Sequence, residues 1–271
     1  MDIITSKSNE KVKYIKSLNE KKFRQKYNAF YLEGIKVVSE VIDFKKAIDI
    51  EFIAYSKPIL EKLNSSQNLI KKLEKISDSG EITIYEIKEE IFKDIVDTIT
   101  PQGVLVVLKI PVVSEESILN SSSNILILDK IQDAGNLGTI IRSADAFGVK
   151  NIVCNLGTCD AFSNKVTRST MGSILRTNIL YLDEEKIHYF LNKLKTNNYD
   201  IISTALQGTT MLDDINYSKK LAIVLGNESN GISNEIIDLS TYLVKIPILD
   251  TAESLNVSVA CGIILYKQFK K

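Results

Sequence analysis

The sequence has no net charge: 34 Lys and Arg face 34 Asp and Glu in 271 residues. That balance excludes a chain that is basic throughout and binds nucleic acid by bulk charge. Histidine is nearly absent, with His188 alone, and cysteine occurs three times, at Cys154, Cys159 and Cys261. No cysteine pair has C-x-x-C spacing, so neither a disulfide framework nor a zinc site is indicated. No G-x-x-x-x-G-K-[ST] and no G-x-G-x-x-G occurs, which removes the two common phosphate-binding loops. No apolar run approaches the roughly 20 residues that span a bilayer. The opening MDIITSKSNEKVK lacks the apolar region of a secretory signal. These absences lead us to expect a cytoplasmic protein with reduced thiols, no membrane partner and no metal.

What is present is ordinary globular composition, 44% hydrophobic and 25% charged. The length allows one large domain or two smaller ones. Charge is uneven locally. Residues 1–26 hold eight basic side chains, Lys21, Lys22 and Arg24 among them, against three acids. Such a surplus either engages nucleic-acid backbone phosphates or lines a solvated helix face.

The first hundred residues read as a small α/β domain. In KVKYIKSLNEKKFRQ, Val12, Ile15 and Leu18 are spaced for one helix face. AFYLEG is a strand stopped by Gly34, and IKVVSEVIDF is a helix. EFIAYS, EITIYEI and GVLVVLKI are strands. PVVSEESILNSSSN then shifts to Pro, Ser, Glu and Asn, which is linker chemistry. We place a first domain at 1–108, a linker at 109–123 and a second domain at 124–271.

Beyond the linker, strands and helices alternate. ILILD, KNIVCNL, NILYL, YDIISTAL, LAIVLG and YLVKIPI are strands. NLGTIIRSADAFG, the stretch around KVTRSTMGSIL, EEKIHYFLNKLKTN, SNEIIDLS and SLNVSVACGIILYKQFK are helices. This rhythm predicts an α/β fold with a mostly parallel sheet, buried on both faces where strands such as LAIVLG are wholly apolar. Ligands of such sheets bind beyond the carboxyl ends of the strands. There the sequence sets Gly135, Asn136 and Gly138, then Gly226, Glu228 and Gly231, then Ser254, Asn256 and Ser258, with Arg142 in an adjoining helix. That inventory is wrong for a metal, which wants His, Cys or several carboxylates. Singly, each residue also reads as helix capping, and Arg142 as a partner of Asp145. His188 reads as a surface residue and Cys261 as a small core residue.

NLGTIIRSADAFG, IVLGNESNGIS and IPILDTAESLNVSVACGIILY resemble the three ordered motifs of the SpoU, or TrmH-type, RNA ribose 2′-O-methyltransferases of the SPOUT superfamily. The resemblance spans 125–271. TSKSNEKVKYIKSLNEKKFRQKYNAFYLEG is similar to the small L30e-like RNA-binding domain that often precedes them. It implies a trefoil knot in the second domain, S-adenosylmethionine as cofactor, RNA as substrate and a homodimer. On the matching positions, Thr204, Leu225, Gly226, Ile246, Leu249 and Leu255 would hold the cofactor. Asn136, Arg142, Glu228, Ser254 and Asn256 would form the polar catalytic set, and Lys165 and Arg168 would face RNA. In the final helix Leu255, Val259, Ile263 and Tyr266 form a stripe that suits either a subunit interface or the core. Two positions depart from the family pattern: Ala134 and Asn164 stand where proline is common, which should loosen a turn.

The expected function is S-adenosylmethionine-dependent methylation of a ribose 2′-hydroxyl in structured RNA, with 23S ribosomal RNA ahead of transfer RNA. Two other classes remain: a non-catalytic RNA-binding or ribosome-assembly protein on the same fold, and a nucleotide-dependent enzyme, which the missing glycine loops disfavour.

Overall fold

The computed structural model describes every residue except 1, 2, 45–47, 122, 206, 218, 219, 250, 252 and 271. Ser122 of the expected linker, Leu206 at an expected strand end, and Asp250 and Ala252 ahead of the last expected helix lie outside the described residues. In chain order the first elements are β1 (Ile3–Ile4), α1 (Glu10–Ser17), α2 (Lys21–Tyr27), β2 (Ala29–Glu33), α3 (Ile35–Asp43), β3 (Ile50–Tyr55), α4 (Lys57–Glu61), α5 (Gln67–Ser79), β4 (Ile84–Ile87), α6 (Glu89–Ile95) and β5 (Val104–Lys109). There follow α7 (Glu115–Leu119), β6 (Ile125–Leu128), α8 (Ala134–Ala146), β7 (Asn151–Asn155), α9 (Asn164–Thr170), β8 (Asn178–Leu182), α10 (Glu184–Thr196) and β9 (Tyr199–Thr204). The last are β10 (Thr210–Met211), β11 (Lys220–Leu225), α11 (Asn234–Asp238), β12 (Tyr242–Lys245) and α12 (Val257–Phe269).

These elements form two compact units. Unit 1 joins Met1–Pro111 to Phe162–Gly172, and unit 2 comprises Val112–Ala161 and Ser173–Lys271. A purely sequential division at 109–123 does not describe them, because the stretch carrying α9 folds with unit 1. The expected linker is not irregular throughout either. Ser114 accepts a hydrogen bond from the Ser117 amide and opens α7, and Ile118 is fully buried. The Ser and Glu that read as linker are a helix cap and a first turn.

Unit 1 has a five-stranded sheet in the order β1-β4-β3-β5-β2. β1, β4 and β3 run parallel, while β5 pairs antiparallel with β3 and β2. Val12, Ile15 and Leu18 are buried as their spacing predicts, in one cluster with Phe52, Phe92 and Leu105. The single helix expected over 11–25 is two. Arg24 is only 4% exposed, and its guanidinium donates to the carbonyls of Leu18 (2.7 Å) and Asn19 (2.9 Å). Those are carbonyls at the end of α1, which need donors once the helix stops. Arg24 therefore folds the break between α1 and α2, and the expectation that it contacts RNA is corrected.

Asn164 is likewise not a loosened turn. It is buried, and its Nδ2 lies 2.7–2.8 Å from Asn19 Oδ1, Tyr31 Oη and Asp97 Oδ2, all within unit 1. One amide with two hydrogens thus serves three acceptors and ties α9 to the sheet that carries Tyr31. A proline could make none of these bonds.

Unit 2 has a seven-stranded sheet in the order β10-β12-β9-β11-β6-β7-β8, and every pair in it is parallel. The apolar runs explain its centre. Ile125 and Ile127 of β6 pack with Phe190, Leu191 and Leu194 of α10, and Leu126 and Leu128 of the alternate face are buried too. Strand order reverses at β6, with β7 and β8 on one side and β11 and β9 on the other, which opens a crevice at the carboxyl ends. On α12, Cys261, Ile264 and Leu265 are the buried face, and α12 packs along α8. Val259 (51%) and Tyr266 (46%) are exposed, so their stripe is not packed in this chain's core.

Candidate active site

Four connections leave the carboxyl ends of adjacent strands of unit 2: 129–133 after β6, 205–209 after β9, 226–233 after β11 and 246–256 after β12. Asp129 fixes two of them. It is 1% exposed; its Oδ1 accepts from Asn155 Nδ2 (2.7 Å), its Oδ2 from the Ser233 amide (2.8 Å), and its own amide donates to the Leu225 carbonyl. A buried carboxylate needs such partners, because an unpaired one would be strongly disfavoured. Asn227 closes the neighbouring loop. Its Oδ1 accepts from the amides of Ser229 and Asn230, and its Nδ2 donates to the Lys130 carbonyl at 2.9 Å. Sequence reasoning did not single out Asp129, Asn155 or Asn227. The available signal was an Asp ending the otherwise apolar strand ILILD.

Within this frame three of the five expected catalytic residues meet. Asp133, not Asn136, caps α8: its side chain accepts from the Asn136 amide at 2.8 Å. The Asn136 side chain is thereby left for other work. Its Nδ2 donates to Glu228 Oε1 (2.8 Å), and its Oδ1 accepts from Asn256 Nδ2 (2.9 Å). Asn256 in turn caps α12, its Oδ1 accepting from the Ser258 amide (2.9 Å) and hydroxyl (2.6 Å). The direction of the chain follows from its ends. A carboxylate only accepts and helix-start amides only donate, so both Asn side chains have one possible orientation. Residues 92 and 120 positions apart in sequence are thus locked to one another at the starts of α8 and α12.

Arg142 lies farther along α8, is exposed, and has no hydrogen bond or ion pair among the described residues. Asp145, its alternative partner, is taken by Arg176 at 2.8–2.9 Å. An exposed guanidinium without an internal partner is suited to an anion or a developing negative charge. Ser254 is exposed and makes no side-chain hydrogen bond among the described residues, so it stands outside the chain. Of the expected RNA contacts, Lys21, Lys22, Lys165 and Arg168 are exposed, with Lys22 paired to Glu20 at 2.8 Å.

The expected cofactor residues occupy the same sheet edge. Thr204 and Leu225 end β9 and β11, with the Thr204 hydroxyl donating to the Val224 carbonyl, and Gly226 and Ile246 follow β11 and β12. Leu249 is 79% exposed, and Leu255 is half-buried just before α12. Among the described residues, 246–255 make no backbone–backbone hydrogen bond. The apolar side chains of Ile246, Leu249 and Leu255 at this edge fit S-adenosylmethionine, whose adenosyl group asks for apolar contact plus backbone donors and acceptors and has no phosphate to cradle. The three thiols offer no nucleophile. Burial raises all of them, and Cys159, half-buried near the Asp133 and Asp160 carboxylates, is pushed up to about 11. No group of three His, Cys, Asp or Glu among the described residues is placed to hold a metal.

The fold and this site define a group transferase whose reactive carbon arrives on an organic cofactor, built on a SPOUT-type parallel sheet. The chain belongs to the SpoU rRNA methylase family, whose model matches residues 123–266, and residues 9–106 match the MRM3-like substrate binding domain. It is 32% identical over 268 residues to the 23S rRNA (guanosine(2553)-2′-O)-methyltransferase RlmP of Bacillus subtilis, covering 98% of each chain. It is 28% identical to an uncharacterized tRNA/rRNA methyltransferase of Synechocystis, covering 97% of this chain and 92% of that one. The AdoMet-bound rRNA methyltransferase of Sinorhizobium meliloti superposes with a TM-score of 0.85 at 28% identity, over 99% of this chain and 97% of that one. The activity is thus S-adenosylmethionine-dependent RNA methylation. No helix among the described residues is long and apolar enough to cross a membrane.

One prediction tests the polar chain directly. Asn136→Asp keeps the side-chain volume but sets a second carboxylate against Glu228. Losing a hydrogen bond to a charged group costs about 1.5–3 kcal/mol. Methyl transfer should therefore fall about 10–100-fold, read as incorporation of labelled methyl into RNA, at one factor of ten per about 1.4 kcal/mol. An unchanged rate would remove the chain from the machinery.

Proposed function

We propose that this protein methylates the 2′-hydroxyl of a guanosine ribose in 23S ribosomal RNA. The observation that carries this reading is the locked Glu228–Asn136–Asn256 chain at the carboxyl ends of the strands, with the unpaired Arg142 on the same helix as Asn136. The likeness to RlmP over the whole chain favours this RNA over transfer RNA.

S-adenosylmethionine supplies a methyl already activated on a sulfonium, so the chain must align the hydroxyl and ease loss of its proton. Arg142 binds a phosphate next to the target ribose and stabilises the alkoxide as it forms. Its part is to bind and stabilise charge through a planar guanidinium fork, not to carry the proton. The proton leaves to water at this open edge. Asn136 and Asn256, fixed by Glu228 and the α12 amides, hold the floor of the site, and the free Ser254 hydroxyl meets the ribose.

The division of labour follows the two units: unit 1, Met1–Pro111 with Phe162–Gly172, holds RNA, and unit 2, Val112–Ala161 with Ser173–Lys271, holds cofactor and chemistry. Lys21, Lys22, Lys165 and Arg168 contact phosphates. The active form is a cytoplasmic homodimer. Exposed Val259, Tyr266 and Phe269 on α12, with Leu249 nearby in sequence, are apolar surface of the kind that subunit contact covers. The test is a map of 2′-O-methyl positions in RNA from cells with and without the gene. One guanosine of 23S rRNA should lose its mark. Unchanged 23S rRNA together with a lost mark in transfer RNA would reassign the substrate.

A further inference from the structure

Unit 1 contains a cavity of about 250 Å³, of whose lining only Arg168 has a part in the function proposed above. It is smaller than the ~300–1,000 Å³ of pockets for drug-sized ligands, so its occupant is a single ring system or nucleotide. Glu33 forms one wall. Its carboxylate accepts from the Thr98 hydroxyl and, at 3.1 Å, from the Gln102 amide. A carboxylate has about four lone-pair sites, so two acceptor positions remain. Burial pushes the Glu33 carboxyl up, while Thr98, Gln102 and the nearby Arg168 pull it back. At the rim, Lys36 and Arg168 are exposed and make no hydrogen bond or ion pair among the described residues.

The apolar part of the lining ends at Met171. This residue is 56% exposed and held at φ +50°, a conformation that non-glycine side chains rarely adopt. Such outliers persist where the surroundings impose them and are concentrated at binding sites. Gly172 follows at φ +92°, and a Cβ there would stand 3.1 Å from Glu40 Oε2. A side chain there would need the Glu40 carboxylate to give way by a few tenths of an ångström, and the left-handed φ itself favours glycine.

The cavity combines a half-buried acceptor pair on Glu33, an apolar lining from Leu32, Val37 and Met171, and two exposed cations at the rim that make no hydrogen bond or ion pair among the described residues. A ligand that answers all three has adjacent donors on one edge of an aromatic body and a negative charge beyond it. Guanine offers N1–H and N2–H side by side, which one carboxylate accepts together. Adenine and cytosine offer a single amino group beside an acceptor, and uracil one N–H between two acceptors. RNA-binding domains read splayed single-stranded bases through such edges, with Arg and apolar groups stacked on the ring. We propose that this cavity binds one unstacked guanosine nucleotide of the substrate RNA, with Glu33 accepting from the base and Lys36 and Arg168 meeting its phosphate. This rests on the RNA-methylase reading and adds a recognition site apart from the reacting ribose.

The test titrates the full chain with guanosine, inosine, adenosine and cytidine 5′-monophosphates, followed by the amide NMR signals of Gly34, Thr98 and Gly172. Guanosine monophosphate should shift these signals at the lowest concentration. Inosine monophosphate, which lacks the 2-amino donor, should need about tenfold more. Glu33→Gln should abolish that preference and raise the KM for deproteinised 23S rRNA about tenfold, as expected for one lost bond to a charged acceptor. Its thermal unfolding reports whether it has folded. Arg168→Ala should weaken all four nucleotides while keeping their order. Equal shifts by the four nucleotides, no shift by any, or a guanosine preference that survives Glu33→Gln would each overturn the proposal. A wild-type protein that transfers no methyl to any RNA would instead overturn the functional reading, and the nucleotide preference would still stand or fall by its own titration.

Discussion

Arg142→Ala should lower methyl transfer to RNA by roughly 10²–10³-fold, the cost of removing one donor from a developing oxyanion. Cofactor affinity should hold, because Arg142 stands in α8 and not in the connections after β9, β11 and β12. Arg142 is preorganised for this role. The guanidinium is unpaired among the described residues, so no internal ion pair has to break before it meets RNA. It stands on a helix whose start is held by Asp133 and whose Asn136 is locked to Glu228 and Asn256. Arg142→Lys separates charge from geometry. A lysine keeps the positive charge but loses the planar fork that grips a phosphate, so it should recover only part of the lost rate. Labelled-methyl incorporation gives the rate, and calorimetry with S-adenosylmethionine gives the affinity. A fully active Arg142→Ala would show that the alkoxide is stabilised elsewhere. Equal loss of cofactor binding would show that Arg142 builds the cofactor pocket.

The unequal legibility of this chain in its sequence has physical causes. Strands such as ILILD and LAIVLG are plain because burial on both faces of a parallel sheet demands unbroken apolar runs, and the structure places them at the sheet centre. The polar positions Asn136, Glu228 and Asn256 stood out because they recur at strand ends. That they bond to one another is a long-range fact which no local pattern encodes. The role of Arg24 was hidden for the same reason: a surface cation and a buried helix-stopping cation have the same composition. Asn164 is the sharpest case. Read locally it is a missing proline; in the fold it gathers Asn19, Tyr31 and Asp97 and assigns its helix to unit 1. Side-chain bonds across 67 to 145 residues carry that information, and periodicity has no access to them.

Gly226→Ala should damage the site without touching any polar group in it. A Cβ at this position would lie 2.3 Å from the Gly231 carbonyl carbon, 2.5 Å from its oxygen and 2.5 Å from the Ile232 nitrogen. All three are backbone atoms, so no side chain can swing away, and the 227–231 turn itself must move. That turn is closed by paired bonds between the Asn227 and Gly231 backbones at 2.9 Å. It carries Glu228, whose 2.8 Å bond to Asn136 orients the polar chain. Displacing it therefore strains the fold and uncouples Glu228 from Asn136 and Asn256 together. Overpacking of this kind costs about 1–3 kcal/mol. For a chain of this size each kcal/mol lowers the midpoint by about 2–4 °C, so a scan should find a fall of several degrees with folding retained. The larger effect should be functional. Methyl transfer should drop about 10–100-fold through Glu228 alone, as for Asn136→Asp, and cofactor affinity should fall with it if, as expected, Leu225 and Gly226 hold the cofactor. The pair of measurements separates the two consequences. Asn136→Asp should lose rate and keep cofactor, and Gly226→Ala should lose both. A Gly226→Ala protein that binds S-adenosylmethionine as the wild type does would show that the turn after β11 carries only the polar chain, and that the cofactor is held by the connections after β9 and β12.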